Sequence, residues 1–130
     1  MKRMRKYFIV LSVFCMVFIG VLDVSAAKIS QQKTSPQFTI AGGKYTVVGT
    51  ATFNTSDKVW SFATPYMLFK SGISYKSANI TKSTPNGTQS GNIYTNKVTY
   101  KCSVTNVNYV SESGSTSITW NFNTSTNAFQ

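Results

Sequence analysis

The sequence predicts an all-β fold, a small antiparallel β-sandwich or small barrel of about six or seven strands behind an N-terminal signal peptide. Three observations carry this expectation. Residues 97–105 place Val98, Tyr100, Cys102 and Val104 on every second position with Lys97, Thr99, Lys101 and Ser103 between them, the period of a half-buried strand. Ser, Thr and Asn supply 42 of the 103 residues after position 27, a composition that favours strands and turns over helices. No segment of that span keeps a helical apolar repeat over roughly three turns.

The chain opens with the basic stretch Met1-Lys2-Arg3-Met4-Arg5-Lys6, continues through an apolar run over 8–22, and reaches the small residues Val24, Ser25, Ala26 and Ala27. That order is the order of a secretory signal, with cleavage expected near Ala26 or Ala27. The run of about 15 residues falls short of the roughly 20 that span a bilayer, which argues against a retained anchor. Cys15 sits in mid-run behind bulky Phe14, which argues against lipid attachment. The expected product is a secreted, extracellular protein of a bacterial kind.

The organisation read from composition is a signal peptide at 1–27, a flexible lead-in at 28–36, one β domain at 37–124 and a polar tail at 125–130. About 100 residues hold one modest core. Cleavage leaves nine lysines, no arginine and two acids, Asp57 and Glu112, a net charge of +7. Arginine is the usual reader of bases and phosphates, so its absence counts against sequence-specific nucleic-acid binding and leaves a general attraction to anionic surfaces. Cys102 is the one cysteine left after cleavage, so no disulfide closes within the mature chain. It shares a strand face with Val98, Tyr100 and Val104 and reads as a small buried hydrophobe, the other reading being a reactive or intermolecular thiol.

Taken in order, 37–40 is a short strand closed by Gly42-Gly43. Tyr45, Val47, Gly49, Ala51 and Phe53 alternate with polar or β-branched residues, and the small pair Gly49 and Ala51 marks a close-packed crossing or a bend. Asn54-Thr55-Ser56-Asp57 is a turn cluster ahead of Trp60 and Phe62, so 44–64 reads as a hairpin. Pro65 interrupts, and 66–69 is an apolar run too short to separate strand from buried turn. Residues 73–81 change phase between Tyr75 and Ala78, the mark of a β-bulge. Residues 83–91 form an exposed loop with Pro85-Asn86-Gly87 as its tight turn. Strand 97–105 extends through Val107 and Tyr109, Glu112-Ser113-Gly114-Ser115 turns the chain, and Ile118, Trp120 and Phe122 line a last strand, giving a second hairpin over 97–123. One internal echo pairs Trp60-Ser61-Phe62-Ala63-Thr64 with Trp120-Asn121-Phe122-Asn123-Thr124.

The catalytic inventory is short. The chain has no histidine, which excludes Ser-His-Asp and Cys-His arrangements and histidine metal ligation; no cofactor or metal is implied. Asp57 and Glu112 fall in separate predicted turns, so an acid pair of the glycosidase type is not expected, and no local motif supports a Ser–Lys nucleophile. Four Asn-x-Ser/Thr matches follow from composition alone.

Binding is therefore the expected mode of action. Lys97 and Lys101 lie on the polar face of their strand, and Lys76, Lys82 and Lys44 join them in one cationic patch if their strands are neighbours. Tyr66, Tyr94 and Tyr109 sit at predicted strand ends and are the expected exposed aromatics, suited to stacking on sugar rings. The leading expectation is a secreted, non-enzymatic cationic protein that attaches to an anionic cell-envelope polymer or membrane surface, with an antimicrobial, bacteriocin-like action as one form of it. The alternative is an inhibitor or partner-binding protein that engages another secreted protein through 83–92. A glycan-binding or pore-forming module is third, the latter because 44–54 and 116–123 alternate over a length that can cross a bilayer as a hairpin.

Overall fold

The computed structural model describes residues 27–130. The expected signal segment lies almost wholly outside these residues. Ten strands make two antiparallel sheets, and the all-β sandwich expectation is met. In the first sheet, β1 (Lys28–Thr34), β2 (Phe38–Ile40), β4 (Val59–Phe62) and β5 (Tyr66–Gly72) all pair with β3 (Gly43–Asn54). Registers show why one strand holds four partners. β1 and β2 run end to end along one edge of β3, and β4 and β5 run end to end along the other. The second sheet repeats the scheme: β6 (Tyr75–Ser83) and β7 (Thr88–Ser90) share one edge of β8 (Ile93–Asn106), and β9 (Ser111–Asn123) takes the other, followed by β10 (Ala128–Phe129).

Each break in an edge strand contains one of the three prolines, Pro36, Pro65 or Pro85. Proline has no N–H for the ladder, so it belongs where an edge strand can step out of register. At the first break Ser35 repairs the ladder. Its N–H donates to Val47 O at 2.8 Å, and its Oγ accepts from Val47 N at 2.9 Å.

The core is the space between the inward rows of β3, β8 and β9. Tyr45, Val47, Ala51 and Phe53 face Val98, Tyr100, Cys102 and Val104, with Ile118, Trp120 and Phe122 completing the layer. Gly49 does mark a close crossing. A Cβ there would stand 2.9 Å from Trp120 Cη2 and closer still to the Tyr100 hydroxyl, so β3 admits both rings only because that position has no side chain. Phe53 stacks on Phe122 with ring centroids 4.4 Å apart and planes 24° apart, joining the two sheets ring to ring.

Two turns are built alike. In Asn54-Thr55-Ser56 the Asn54 Oδ1 accepts from Ser56 N at 2.9 Å, and Thr55 N donates to Ala27 O at 2.9 Å. In Asn123-Thr124-Ser125 the Asn123 Oδ1 accepts from Ser125 N at 2.8 Å, and Thr124 N donates to Asn92 O at 2.9 Å. The structural echo thus aligns Phe53 with Phe122 and Trp60 with Phe129, not Trp60 with Trp120. Trp60 and Phe129 each pack against the phenylalanine that precedes their turn, with centroids 5.0 and 5.2 Å apart.

Several expectations are corrected. Residues 28–36 are no flexible lead-in: Lys28–Thr34 is paired along its whole length with β3. The 125–130 tail ends in β10, whose Phe129 packs on the core. The second hairpin turns at 107–110, not at Glu112-Ser113-Gly114-Ser115, because Asn106 drives the turn. Its Oδ1 accepts from Asn108 N at 2.8 Å and Val110 N at 3.0 Å. The tight turn expected at Pro85-Asn86-Gly87 falls instead at Gly91-Asn92, where Gly91 takes φ +61°. The bulge in β6 is present, between Tyr75 and Ser77, and 66–69 resolves as part of β5.

The sheets approach unequally on their two sides. On one, Ile40 reaches to Gly114 of β9, and Lys33 Nζ donates to Thr119 O at 2.7 Å. On the other, the edge formed by β4 and β5 stands apart from β6, and a cleft runs between them.

A Gly49→Ala substitution should lower stability by about 1–3 kcal/mol, the usual cost of overpacking a filled core. Urea unfolding followed by far-ultraviolet circular dichroism measures it. An unchanged midpoint would mean that Tyr100 and Trp120 can move aside freely.

Candidate functional site

Alternation along β8 and β9 sends one row of each strand away from the core. Outward on β8 stand Thr95, Lys97, Thr99, Lys101, Ser103 and Thr105; outward on β9 stand Ser111, Ser113, Ser115, Ser117, Thr119, Asn121 and Asn123. Ser77, Asn79, Thr81 and Ser83 of β6 continue the face. The hydroxyls bond across the strands, Thr95 to Asn121 at 2.7 Å and Thr105 to Ser111 at 2.7 Å, which ties neighbouring strands together across the face. Lys97 and Lys101 are its cations, about 13 Å apart along the strand.

The other lysines do not all join them. Lys44 lies on β3, in the opposite layer, paired with Thr39 and Ser71. Lys76 sits in the β6 bulge with its ammonium 5.0 Å from the Tyr109 ring centroid, a cation–π contact at one end of the sheet. Lys82 pairs with Tyr100, so alternation turns it toward the cleft; it lines both the cleft and a shallow depression shared with Lys101. The single patch is thus two lysines on a hydroxyl face with Lys82 at its rim.

The expected exposed tyrosines separate in the same way. Tyr66 is 49% exposed and Tyr109 is 71% exposed. Tyr94 is not free: it is half-buried and packs on Phe53 with ring centroids 5.2 Å apart. Its place at a strand end does not expose it, because the Phe53–Phe122 stack extends the core that far.

The cleft between β4 and β6 was not visible in the sequence. A cavity of about 440 Å³ is lined by Lys58, Trp60, Phe62, Lys82, Pro85 and Asn86, among others. Trp60 and Phe62 stand with their planes 7° apart and centroids 5.9 Å apart, since positions two apart on a strand share a face. Lys58 takes φ +57° in its turn and donates its ammonium to Thr55 O at 2.6 Å. The far wall is anchored by buried Asn96, whose Nδ2 donates to Pro85 O at 2.8 Å. Further along, the cleft turns apolar, about 260 Å³ between Met67 and Phe69 on one side and Tyr75 and Ile80 on the other, with Tyr45 among its lining residues. The alternation of Trp60 and Phe62 was legible; that Lys82 faces them across the layers had no local signal.

The two carboxylates stand apart. Asp57 follows one end of β3, while Glu112 Oε1 accepts the N–H of Ala41, ahead of the other end, with about 40 Å of strand between. Together with Asn106, whose Nδ2 donates to Ala41 O at 3.0 Å, Glu112 clamps a residue held at φ +50°. Glu112 is thereby a structural anchor in β9.

Cys102 is fully buried. Burial pushes its thiol up to about 11 from 9.0, and the same cause pushes Tyr100 up to about 12. Comparison of the chain with protein families, curated proteins and solved structures finds no match.

The native thiol should react with a disulfide reagent at pH 8 far more slowly than the same thiol in urea, as a timed absorbance assay would show; equal rates would place Cys102 at the surface. Because the fold keeps Cys102 and Tyr100 neutral to higher pH than the unfolded chain does, unfolding releases protons above pH 9. Their contribution to stability is complete below pH 9 and falls as pH rises toward 12, which melting curves across that range would record. Cys102→Ala should flatten the part between pH 9 and 11.

Proposed function

We propose that the protein is a secreted, non-enzymatic module that attaches to anionic cell-envelope polymers through the outer face of β6, β8 and β9. The observation that carries the reading is the composition of that face: two lysines set among hydroxyl and amide side chains, with Glu112 turned to the opposite side. Hydroxyls and amides match the hydrogen-bonding groups of a polysaccharide, and lysines without a neighbouring carboxylate leave their charge for the polymer. An antimicrobial action at a competitor's envelope is a further form of the same reading.

The other readings have less support. Segment 83–92 is poorly placed to enter a partner's cleft, since β7 within it is paired to β8 and Asn96 pins Pro85. Membrane insertion of 44–54 or 116–123 would pull Tyr45, Phe53, Trp120 and Phe122 out of the core.

Purified protein should sediment with whole bacterial envelopes at low salt and be released as salt rises through the physiological range, because exposed charges are screened over about 8–10 Å there. Lys97→Gln/Lys101→Gln should weaken retention several-fold at low salt without altering the melting temperature. Retention that ignores both salt and the double substitution would sink the reading.

A further inference from the structure

The cleft beside β4 combines features that the outer face lacks. Its floor is aromatic, Trp60 with Phe62 nearly parallel to it. Lys58 and Lys82 approach from opposite sheets, and no carboxylate is among the lining residues. Its walls are fixed: Trp60 is braced by Phe53 and Phe129 at 5.0 and 6.1 Å between ring centroids, and Pro85 by the Asn96 amide. A volume of about 440 Å³ lies within the roughly 300–1,000 Å³ of small-ligand pockets.

We propose that this cleft is a binding subsite for one acidic sugar residue, taken as a pyranose ring that bears a carboxylate. The apolar C–H face of such a ring lies on the Trp60 indole, while its carboxylate meets the Lys58 and Lys82 ammonium groups. Lys58 keeps donors to spare after its bond to Thr55 O, since an ammonium has three. Thr84 and Asn86 at the rim supply partners for ring hydroxyls. A neutral sugar would leave both lysines unanswered, and a simple anion would leave the aromatic floor uncovered. The ligand is therefore one that is acidic and a ring at once. Lys82 also borders the depression that holds Lys101, so a polymer seated in the cleft can continue onto the outer face. The inference rests on the reading of the protein as a binder of anionic polymers, and it gives that reading a sugar-specific subsite.

The test is titration of the purified protein with a short oligogalacturonate, followed by tryptophan emission and calorimetry, with neutral galactose oligomers and inorganic polyphosphate alongside. Of the two tryptophans, Trp120 is fully buried and Trp60 lines the cleft, so a change of emission reports Trp60. The uronate should bind and alter emission, the neutral oligomer should bind about ten-fold more weakly, and polyphosphate should leave emission unchanged. Lys58→Gln/Lys82→Gln, at the surface and without effect on folding, should reduce uronate affinity about ten-fold, and Trp60→Phe should retain more of it than Trp60→Ala. Equal emission changes with polyphosphate and uronate, or uronate affinity indifferent to the lysine pair, would overturn the proposal. The two readings fail separately. Envelope retention that depends on Lys97 and Lys101 with no uronate response removes the cleft and keeps the face. A uronate response without envelope retention removes the face and keeps the cleft.

Discussion

The structure depends on the contact of two aromatic rings with a bare stretch of backbone. Tyr100 and Trp120 reach across from the second sheet and settle on β3 at Gly49, where a single methyl group would displace them. With Cys102 as the one cysteine among the described residues, no covalent link draws the sheets together, so aromatic packing must do so. The Phe53–Phe122 stack serves the same end some four residues further along β3. Because burial of this kind is non-directional, something else must set how the sheets align. That is the role of the polar clamp on Ala41, where Glu112 and Asn106 hold one turn from both its N–H and its carbonyl.

The same packing makes the two sides of the sandwich unequal. β2 is drawn to β9 by Ile40 over Gly114, and β1 by the bond from Lys33 to the Thr119 carbonyl. Sheets twist, so layers that meet along one side diverge along the other. The divergence opens the cleft between β4, β5 and β6, and it leaves Trp60 and Phe62 half-buried. What would be a complete core in a closed barrel is here a core with an accessible aromatic wall. The fold thus presents two distinct surfaces, a polar face that the strand period creates and a cleft that the layer geometry creates.

How much of this could be read beforehand follows from how local each cause is. Alternation in 97–105 is a property of one strand, so its buried and exposed rows, with Cys102 inside and Lys97 and Lys101 outside, were legible. The bulge in 73–81 was legible for the same reason. Lys28–Thr34 was not: its residues are polar, and they form a strand because the edge of β3 offers them a full ladder of partners. The turn at 107–110 leaves no such signal, because Val107 and Tyr109 continue an apolar alternation, while the decisive groups are the Asn106 amide and the backbone N–H donors it gathers. The burial of Tyr94 is not legible in its own strand, because the ring that packs on it is Phe53, which lies in the other sheet 41 residues earlier.

By itself the sequence determined the class of fold, the inward and outward rows of its long strands, the charge of the outer face and the poverty of histidine and carboxylate chemistry. Those depend on residue type and on a period of two, and both are written along the chain. Only the tertiary structure decided which strands share an edge of β3, that Lys44 stands in the other layer from Lys97 and Lys101, and that Lys58 and Lys82 line one cleft with Trp60. Those depend on two sheets meeting at a distance that the bare backbone at Gly49 allows and in an alignment that the clamp on Ala41 holds, and no local pattern records either.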